Sequence, residues 1–237
     1  MQITRGRAET RIHVTDPFDW NRVLGTDYWA FFGPESITSA TGRLLSDQGW
    51  TTASLAETAG TGADFLSSAD EENPAHVLTN ASGDLLQSPS VFGDYIHAQA
   101  AAKILGRDIT RMVVEWYGAM TVRTANEVIS GWGLVEAGGS PATGDDHMAW
   151  IWVAGGVGDA FHFEYANGTG DDTGAAADTS WHAFKIVGTL GGTWEWFIDG
   201  VSQGTLAIQT DLFPVSFGMH AFTTNRPALS WLHIWYE

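Results

Sequence analysis

The stretch from Trp181 to Gly200 constrains the fold more than any other part of the chain. Its alternating apolar residues predict a strand over His182–Val187, a glycine-rich turn over Gly188–Gly192 and a second strand over Thr193–Ile198. The following Asp199-Gly200 dipeptide favours a tight two-residue turn, because both positions tolerate a positive φ. We therefore predict a β-hairpin whose second strand leads directly into another hairpin.

A period of two in the hydrophobic residues runs from Asp108 to the end of the chain, with turns rich in Gly and Asp between short apolar segments. Such a series of short strands is typical of an all-β fold, namely a two-sheet antiparallel jelly-roll sandwich. The segment Gly131-Trp132-Gly133 is read as a strand whose small residues permit close approach of a neighbour. Trp194 and Trp196 are read as filling between the two sheets.

Residues 1–92 are less regular and rich in Ser, Thr, Ala, Gly and Asp. We expect them to form an anchoring or oligomerisation region that also contributes strands to the sandwich, and residues 93–237 to form the sandwich itself. One short helix is predicted over Gly93–Gly106, with Asp94 as its cap and the terminal glycine ending it. A strand over Tyr95–Gln99 is the alternative, because those residues also alternate.

The formal net charge is −17, and the chain contains 11 basic against 28 acidic residues. A field of this sign repels nucleic acid and anionic membranes, so neither is expected as a partner. The chain has no cysteine, which excludes disulfides and thiolate metal sites. The N-terminus lacks the apolar core of a signal peptide, and no apolar run is long enough to span a membrane.

No catalytic signature is found, so the predicted set of catalytic residues is empty. A glycosidase needs two carboxylates on one face of the site, which a single strand would supply at alternate positions. Glu115, Glu127, Glu164 and Glu195 each lack such a partner two residues away. The chain also lacks the Gly-x-Ser-x-Gly motif of the serine hydrolases.

Two acidic loops offer oxygen ligands. Asp145-Asp146-His147 lies in the loop predicted over Glu136–His147, and Asp171-Asp172 lies in a flexible loop predicted over Asn167–Asp178. Oxygen ligands of this kind suit Ca²⁺, but neither segment has the spacing of a calcium-binding loop. We therefore assign no metal site and no cofactor, and Ca²⁺ remains the one ion that these loops would suit.

Carbohydrate binding without catalysis is a second functional hypothesis. Sugar rings stack on Trp and Tyr, while His and Glu side chains hydrogen-bond the hydroxyl groups. An ordinary place in the core is the alternative for each tryptophan, and an outward-facing position is the alternative for each histidine. The candidate ligand-binding residues on the predicted strands are Trp150, Trp152, Tyr117, Glu115, His162, Glu164 and His220.

From Asp108 onward the chain resembles concanavalin A-like lectin/glucanase sandwiches, which include laminin-G-like modules. The resemblance rests on four segments, Trp181–Ile186, Trp194–Gly200, Ser216–Met219 and Leu229–Ile234. It implies a two-sheet sandwich but no single activity, since that family includes lectins, glycosidases and structural modules. The Glu-x-Asp-x-Glu strand of its glycosidase members is missing here, so their activity is not implied.

Two further segments are Ile198–Leu206 and Gly131–Glu136, and the chain combines them with loops rich in Gly, Ala and Thr and with the absence of cysteine. In these features the chain as a whole resembles bacteriophage virion proteins that carry this module. The hypothesis we put first is therefore a non-enzymatic capsid decoration or fibre protein on a virion surface, or otherwise a cytoplasmic protein. Its partners would be other virion proteins or further copies of itself, and a cell-surface glycan is a further possibility. Arg5, Arg7 and Arg11 would anchor it, although the same residues would also suit a solvated edge strand. A carbohydrate-binding module and a glycosidase are the alternatives.

Overall fold

The computed structural model describes residues 27–31, 50–53, 77–79, 82–89, 102–103, 106, 108–124, 129–136, 138–153, 159–165, 169–209 and 215–237. Within these residues the chain is mostly β-strand, as the sequence predicts. The strands are β1 (Asp27–Phe31), β2 (Thr51–Ala53), β3 (Val77–Leu78), β4 (Leu85–Gln87), β5 (Arg111–Val122), β6 (Gly131–Glu136), β7 (His147–Val153), β8 (Ala160–Tyr165), β9 (Thr169–Ala176), β10 (Trp181–Thr189), β11 (Gly192–Ile198), β12 (Val201–Gln209), β13 (Val215–His220) and β14 (Arg226–Tyr236).

The strands form two antiparallel sheets of seven strands each, which confirms the jelly-roll sandwich. Sheet A has the order β1-β14-β5-β10-β11-β12, with β3 pairing with β14, and sheet B has the order β2-β4-β13-β6-β7-β8-β9. Strands from the first 92 residues thus pair with later strands in both sheets. A helix long and apolar enough to cross a membrane is absent from the described residues.

The hairpin of β10 and β11 matches its prediction closely. Phe184 pairs with Ile198 and Gly188 pairs with Trp194. At the turn into β12, Asp199 has φ +50° and Gly200 has φ +78°, the backbone of a two-residue turn that follows the twist of the strands. The Oδ1 atom of Asp199 also accepts a hydrogen bond from the Ala183 amide at 2.9 Å. Asp199-Gly200 therefore serves as a turn.

Large aromatic side chains from both sheets fill the space between them. Trp194 and Trp196 are 1% and 0% exposed, which confirms that they pack between the sheets. Phe163 of sheet B stacks on Trp196 at 5.6 Å between ring centroids. Trp116 of sheet A meets Phe217 of sheet B edge-on at 5.3 Å. Contacts of this kind stabilise the sandwich through both buried apolar area and ring geometry.

The prediction of a flexible loop over Asn167–Asp178 was wrong. This segment contains β9, which pairs with β8 at the edge of sheet B. β9 consists of Gly, Thr, Asp and Ala residues and therefore shows no hydrophobic alternation. Such residues are tolerated there because an edge strand can leave polar residues in water. Gln203 of β12 ties this edge to sheet A, since its Oε1 atom accepts a hydrogen bond from the Ala175 amide at 2.7 Å.

The predicted helix falls mostly outside the described residues. Ala102 and Lys103 are helical, with Ala102 buried and Lys103 exposed. Gly106 has φ +67°, a conformation that suits the glycine predicted to end the helix. The rest of the predicted span lies outside the described residues.

His182 on β10 connects the start of that strand to the turn between β11 and β12. His182 bonds Asp199 through Nδ1 at 2.6 Å and Asp178 through Nε2 at 3.0 Å. Partial burial lowers the pKa of His182, but hydrogen bonds to Asp199 and Asp178 outweigh this effect and raise the pKa above its ordinary value. His182 therefore holds its proton more tightly in the folded protein than in the unfolded chain.

We expect this cluster to make the stability depend on pH. Because the folded pKa of His182 is raised, its contribution is complete below pH 6.5 and is lost as the pH rises through the folded pKa. The two carboxylates are about half exposed, so solvent screening limits the effect to about 1 kcal/mol or less. Urea midpoints of the wild type and His182→Gln at pH 5.5 and 8.5 measure it. Equal differences between the two proteins at both pH values would contradict the expectation.

Candidate functional site

The seven residues proposed for ligand binding are divided between the outer face of sheet A and the outer face of sheet B. Five of them occupy the outer face of sheet B: Trp150 and Trp152 on β7, His162 and Glu164 on β8, and His220 on β13. Glu115 and Tyr117 lie on β5 in sheet A instead. The structure therefore divides the candidates between two surfaces.

The sheet B candidates form rows across adjacent strands. Trp150 pairs with Glu164, and Trp152 pairs with His162 and stacks on its ring at 4.5 Å. Trp150, Trp152, Glu164 and His220 are nevertheless 0%, 5%, 0% and 3% exposed. A ligand at this face would meet His162 first, because the other four side chains are covered.

The loop of residues 138–146 contributes to that cover. His147 bonds Glu164 through Nδ1 at 2.8 Å and the Pro141 carbonyl oxygen through Nε2 at 3.1 Å, and its ring stacks on Trp150. Pro141 packs where a side chain at Gly218 would lie, and the Gln87 amide donates to the Gly139 carbonyl oxygen at 2.9 Å. This loop is thus fastened to the outer face of sheet B.

The residues considered for Ca²⁺ have other surroundings. Asp145 and Asp146 lie in a short 3-10 turn, and Asp146 Oδ2 accepts a hydrogen bond from the Ser140 amide at 2.8 Å. His147 turns away from them towards Glu164, while Asp171 and Asp172 lie within β9. Across the described residues, the structure contains no cluster of three His, Asp or Glu side chains suited to a metal ion.

The outer face of sheet A carries a set of accessible rings, which we call the aromatic surface. Trp29 on the edge strand β1 is 42% exposed, and the other members are half-buried. Cross-strand pairs connect the set, because Trp29 lies opposite His233 and Trp231 lies opposite Tyr117. The aromatic surface consists of Trp29, Tyr117, Trp181, Trp231, His233 and Trp235.

Two kinds of ring arrangement make up this surface. His233 lies between Trp29 and Trp235, with ring centroids 3.6 and 4.2 Å away and planes within 23° of parallel. At these distances the three rings cover one another's faces, so they form a compact stack. Trp29 also contacts Trp231 at 6.0 Å with tilted planes, and this contact connects the stack to the second arrangement.

The second arrangement is a row of three offset rings across β14, β5 and β10. Tyr117 lies 6.4 Å from Trp231 and 5.5 Å from Trp181, and the ring planes differ by 11° and 26°. Near-parallel rings at such separations are displaced sideways rather than superposed. The row thus places three half-buried rings side by side on three neighbouring strands. We call these three residues the offset row.

Charged groups lie beside the rings. Glu115 on β5 is opposite both His233 on β14 and Lys185 on β10. Lys185 also lies over the Phe197 ring, 5.7 Å from its centroid. At the C-terminal end, Glu237 accepts a hydrogen bond from Trp235 Nε1 at 3.0 Å and forms a salt bridge with Arg111 at 3.0 Å.

Sequence reasoning found Glu115 and Tyr117 but missed the other rings of the aromatic surface. Trp231, His233 and Trp235 alternate along β14, and β14 was predicted as a strand. The signal was thus present, but alternation alone does not show which face is covered. Trp29 comes from the irregular N-terminal region, and only the pairing of β1 with β14 places it here. Arg5, Arg7 and Arg11 lie outside the described residues.

No protein-family model matches the chain, and no curated protein matches it in sequence. Among solved structures, the Emp46p carbohydrate recognition domain is similar at a TM-score of 0.49 and 9% identity, over 84% of this chain and 94% of that one. An alginate lyase, AlgAT5 from polysaccharide lyase family 7, has a TM-score of 0.46 and 10% identity, over 74% of this chain and 84% of that one.

A structure of botulinum neurotoxin type C is similar at a TM-score of 0.43 and 9% identity. Cell entry of that toxin is described as dependent on two ganglioside molecules. The alignment covers 68% of this chain and 39% of the neurotoxin chain, so this protein spans about two fifths of its length. All three similarities have TM-scores below 0.5 and identities of 9–10%. They do not assign the chain to a family.

Proposed function

We propose that this protein is a non-enzymatic glycan-binding module and that its ligand packs on the aromatic surface of sheet A. The observation that carries the proposal is the offset row of Trp231, Tyr117 and Trp181, three half-buried aromatic rings side by side on the outer face of sheet A. A contiguous exposed apolar patch on a soluble protein marks an interaction site. Aromatic rings with polar groups beside them are the combination that sugar rings require.

The charge of the protein argues for a glycan over several other partners. A net charge of −17 opposes binding of nucleic acid and of anionic membranes. It also opposes association of this face with a second copy of the same acidic chain. A neutral sugar has no such repulsion to overcome, and Glu115, Lys185 and His233 offer hydrogen-bonding groups within the same rows of the sheet.

A binding role fits the carboxylates better than hydrolysis does. Each described strand lacks a pair of carboxylates two residues apart, so no single strand supplies both groups of a glycosidase. On the outer face of sheet A, Glu115 lies opposite Lys185. On sheet B, Glu164 is 0% exposed and bonded to His147. Neither carboxylate is arranged as one half of an exposed catalytic pair.

Single substitutions in the offset row test the proposal. We expect Trp231→Ala and Tyr117→Ala each to weaken glycan binding about tenfold or more, because stacked aromatic side chains contribute strongly to binding. A glycan array identifies the ligand, and isothermal titration calorimetry measures the change in Kd. Phe222→Ala is the control, since Phe222 is an exposed aromatic residue (44%) that lies outside the aromatic surface. Unchanged binding by both offset-row variants would refute the site.

The virion role stays a prediction from the sequence. It depends on residues 1–92 as an anchor and on Arg5, Arg7 and Arg11, and those arginines lie outside the described residues. A chain lacking residues 1–15 should lose its association with a particle while its sandwich remains folded. Full retention of the association would count against the anchor. A glycan-binding sandwich on a particle would be compatible with both roles.

A further inference from the structure

We propose that the aromatic surface binds successive internal units of a linear, uncharged glycan chain. This inference rests on the proposed function and specifies its ligand class. The first support is the position of the rings within their strands. Tyr117 and Trp231 belong to the interior of the long strands β5 and β14, and Trp181 begins β10. A ligand on these residues lies along the face of a sheet, where a chain can continue past either end.

The second support is the spacing of the offset row. Its rings are separated by 6.4 and 5.5 Å, on three neighbouring strands. These separations are comparable with the length of one sugar unit in a polysaccharide, so consecutive units can each meet a ring. The compact stack of Trp29, His233 and Trp235 continues from Trp231 through the 6.0 Å contact with Trp29. A ligand longer than three units would reach that stack.

The third support concerns charge. A glycan bearing carboxylates or sulfates needs cations that are available for pairing. Within the described part of this face, Lys185 lies opposite Glu115, and Arg111 forms a salt bridge with Glu237 at 3.0 Å. Each of these two cations therefore has a carboxylate of the protein as a neighbour. Together with the net charge of −17, this pairing makes an anionic glycan a poor ligand.

Calorimetric titration with oligosaccharide ladders tests the inference. The probes are cello-, manno- and xylo-oligosaccharides of two to six units, their borohydride-reduced forms, and an oligogalacturonate of six units. For at least one neutral ladder we expect Kd to fall about tenfold from two to four units and then to level off. Reduction of the chain end should leave Kd of the longest member unchanged, and the oligogalacturonate should bind at least about tenfold more weakly.

Variants at the ends of the offset row sharpen the test. Trp181→Ala should shorten the length at which Kd stops falling, because one contact at the end of the row is lost. Phe222→Ala should leave the length dependence unchanged. Equal Kd for two and six units, loss of binding on end reduction, or preference for the oligogalacturonate would each overturn the inference while leaving glycan binding intact. Failure of all three neutral ladders would also overturn it. Failure of the whole glycan array would instead overturn the proposed function.

Discussion

We expect Glu164→Leu to lower the free energy of unfolding by about 1–3 kcal/mol, the cost of leaving a buried polar group without its hydrogen-bond partner. His147 Nδ1 and Glu164 Oε1 lie 2.8 Å apart, and both side chains are 0% exposed. Since Nε2 faces the Pro141 carbonyl oxygen, that nitrogen must donate, and Nδ1 is left to bond Glu164. Leucine in place of Glu164 leaves the second ring nitrogen of His147 buried without a partner. Urea denaturation followed by tryptophan fluorescence measures the loss.

Two further variants separate the polar pair from simple packing. Glu164→Gln keeps an amide that can bond Nδ1 whether that nitrogen donates or accepts, so its cost should be smaller than that of Glu164→Leu. Combining His147→Phe with Glu164→Leu replaces the pair with apolar side chains, and phenylalanine retains a ring against Trp150. This double variant should recover part of the lost stability. A Glu164→Leu protein with the wild-type urea midpoint would show that the pair contributes nothing.

The His147–Glu164 pair also helps to cover the outer face of sheet B, and this cover is the reason that we propose the ligand site on sheet A. It fastens the base of the loop of residues 138–146 to the outer face of sheet B, with a second tie from Gln87 to Gly139. Trp150 and Trp152 on that face are consequently packing residues in the described conformation. The outer face of sheet A instead keeps a tryptophan 42% exposed on its edge strand. Accessibility, more than residue type, distinguishes the two faces.

The architecture was predictable from sequence because strand periodicity and turn chemistry are local. The hairpin through Asp199-Gly200 follows from its residues, and the tryptophans at 194 and 196 were correctly placed between the sheets. β9 was missed because its Gly and Asp residues lack the hydrophobic alternation that marks a strand. Each outcome depends on residues that are close in sequence. The hairpin has the local alternation that marks a strand, and β9 lacks it.

The site was less predictable because it depends on long-range pairing and on cover. Trp150 and Trp231 have similar sequence surroundings, each two residues from another aromatic residue on one face of a strand. One is buried on the outer face of sheet B and the other is half-buried on the outer face of sheet A. Both sheets carry apolar residues on both faces, so alternation does not reveal which side meets water. Only the pairing of β1 with β14 brings Trp29 to the aromatic surface.

Gly133→Ala should destabilise the protein by about 3–5 kcal/mol, because the new methyl group has no space and because the backbone conformation there is unfavourable for any residue with a side chain. Gly133 has φ +152°, and a Cβ atom there would fall on the Ala149 carbonyl oxygen and 2.8 Å from the Trp150 Cα atom. Both are backbone atoms of β7 in the middle of sheet B, so no side-chain rotation relieves the contact. Overpacking costs about 1–3 kcal/mol, and an unfavourable φ adds about 1–3 kcal/mol.

Gly191→Ala is the matched control for this substitution. Gly191 has φ +69° in the turn between β10 and β11, but a Cβ atom there would meet nothing within 4 Å. Its cost should be limited to the backbone term of about 1–2 kcal/mol. Urea midpoints of the two variants therefore separate conformational strain from the clash with β7. Equal losses would show that β6 and β7 can move apart, and that the close approach predicted for Gly131-Trp132-Gly133 does not constrain sheet B.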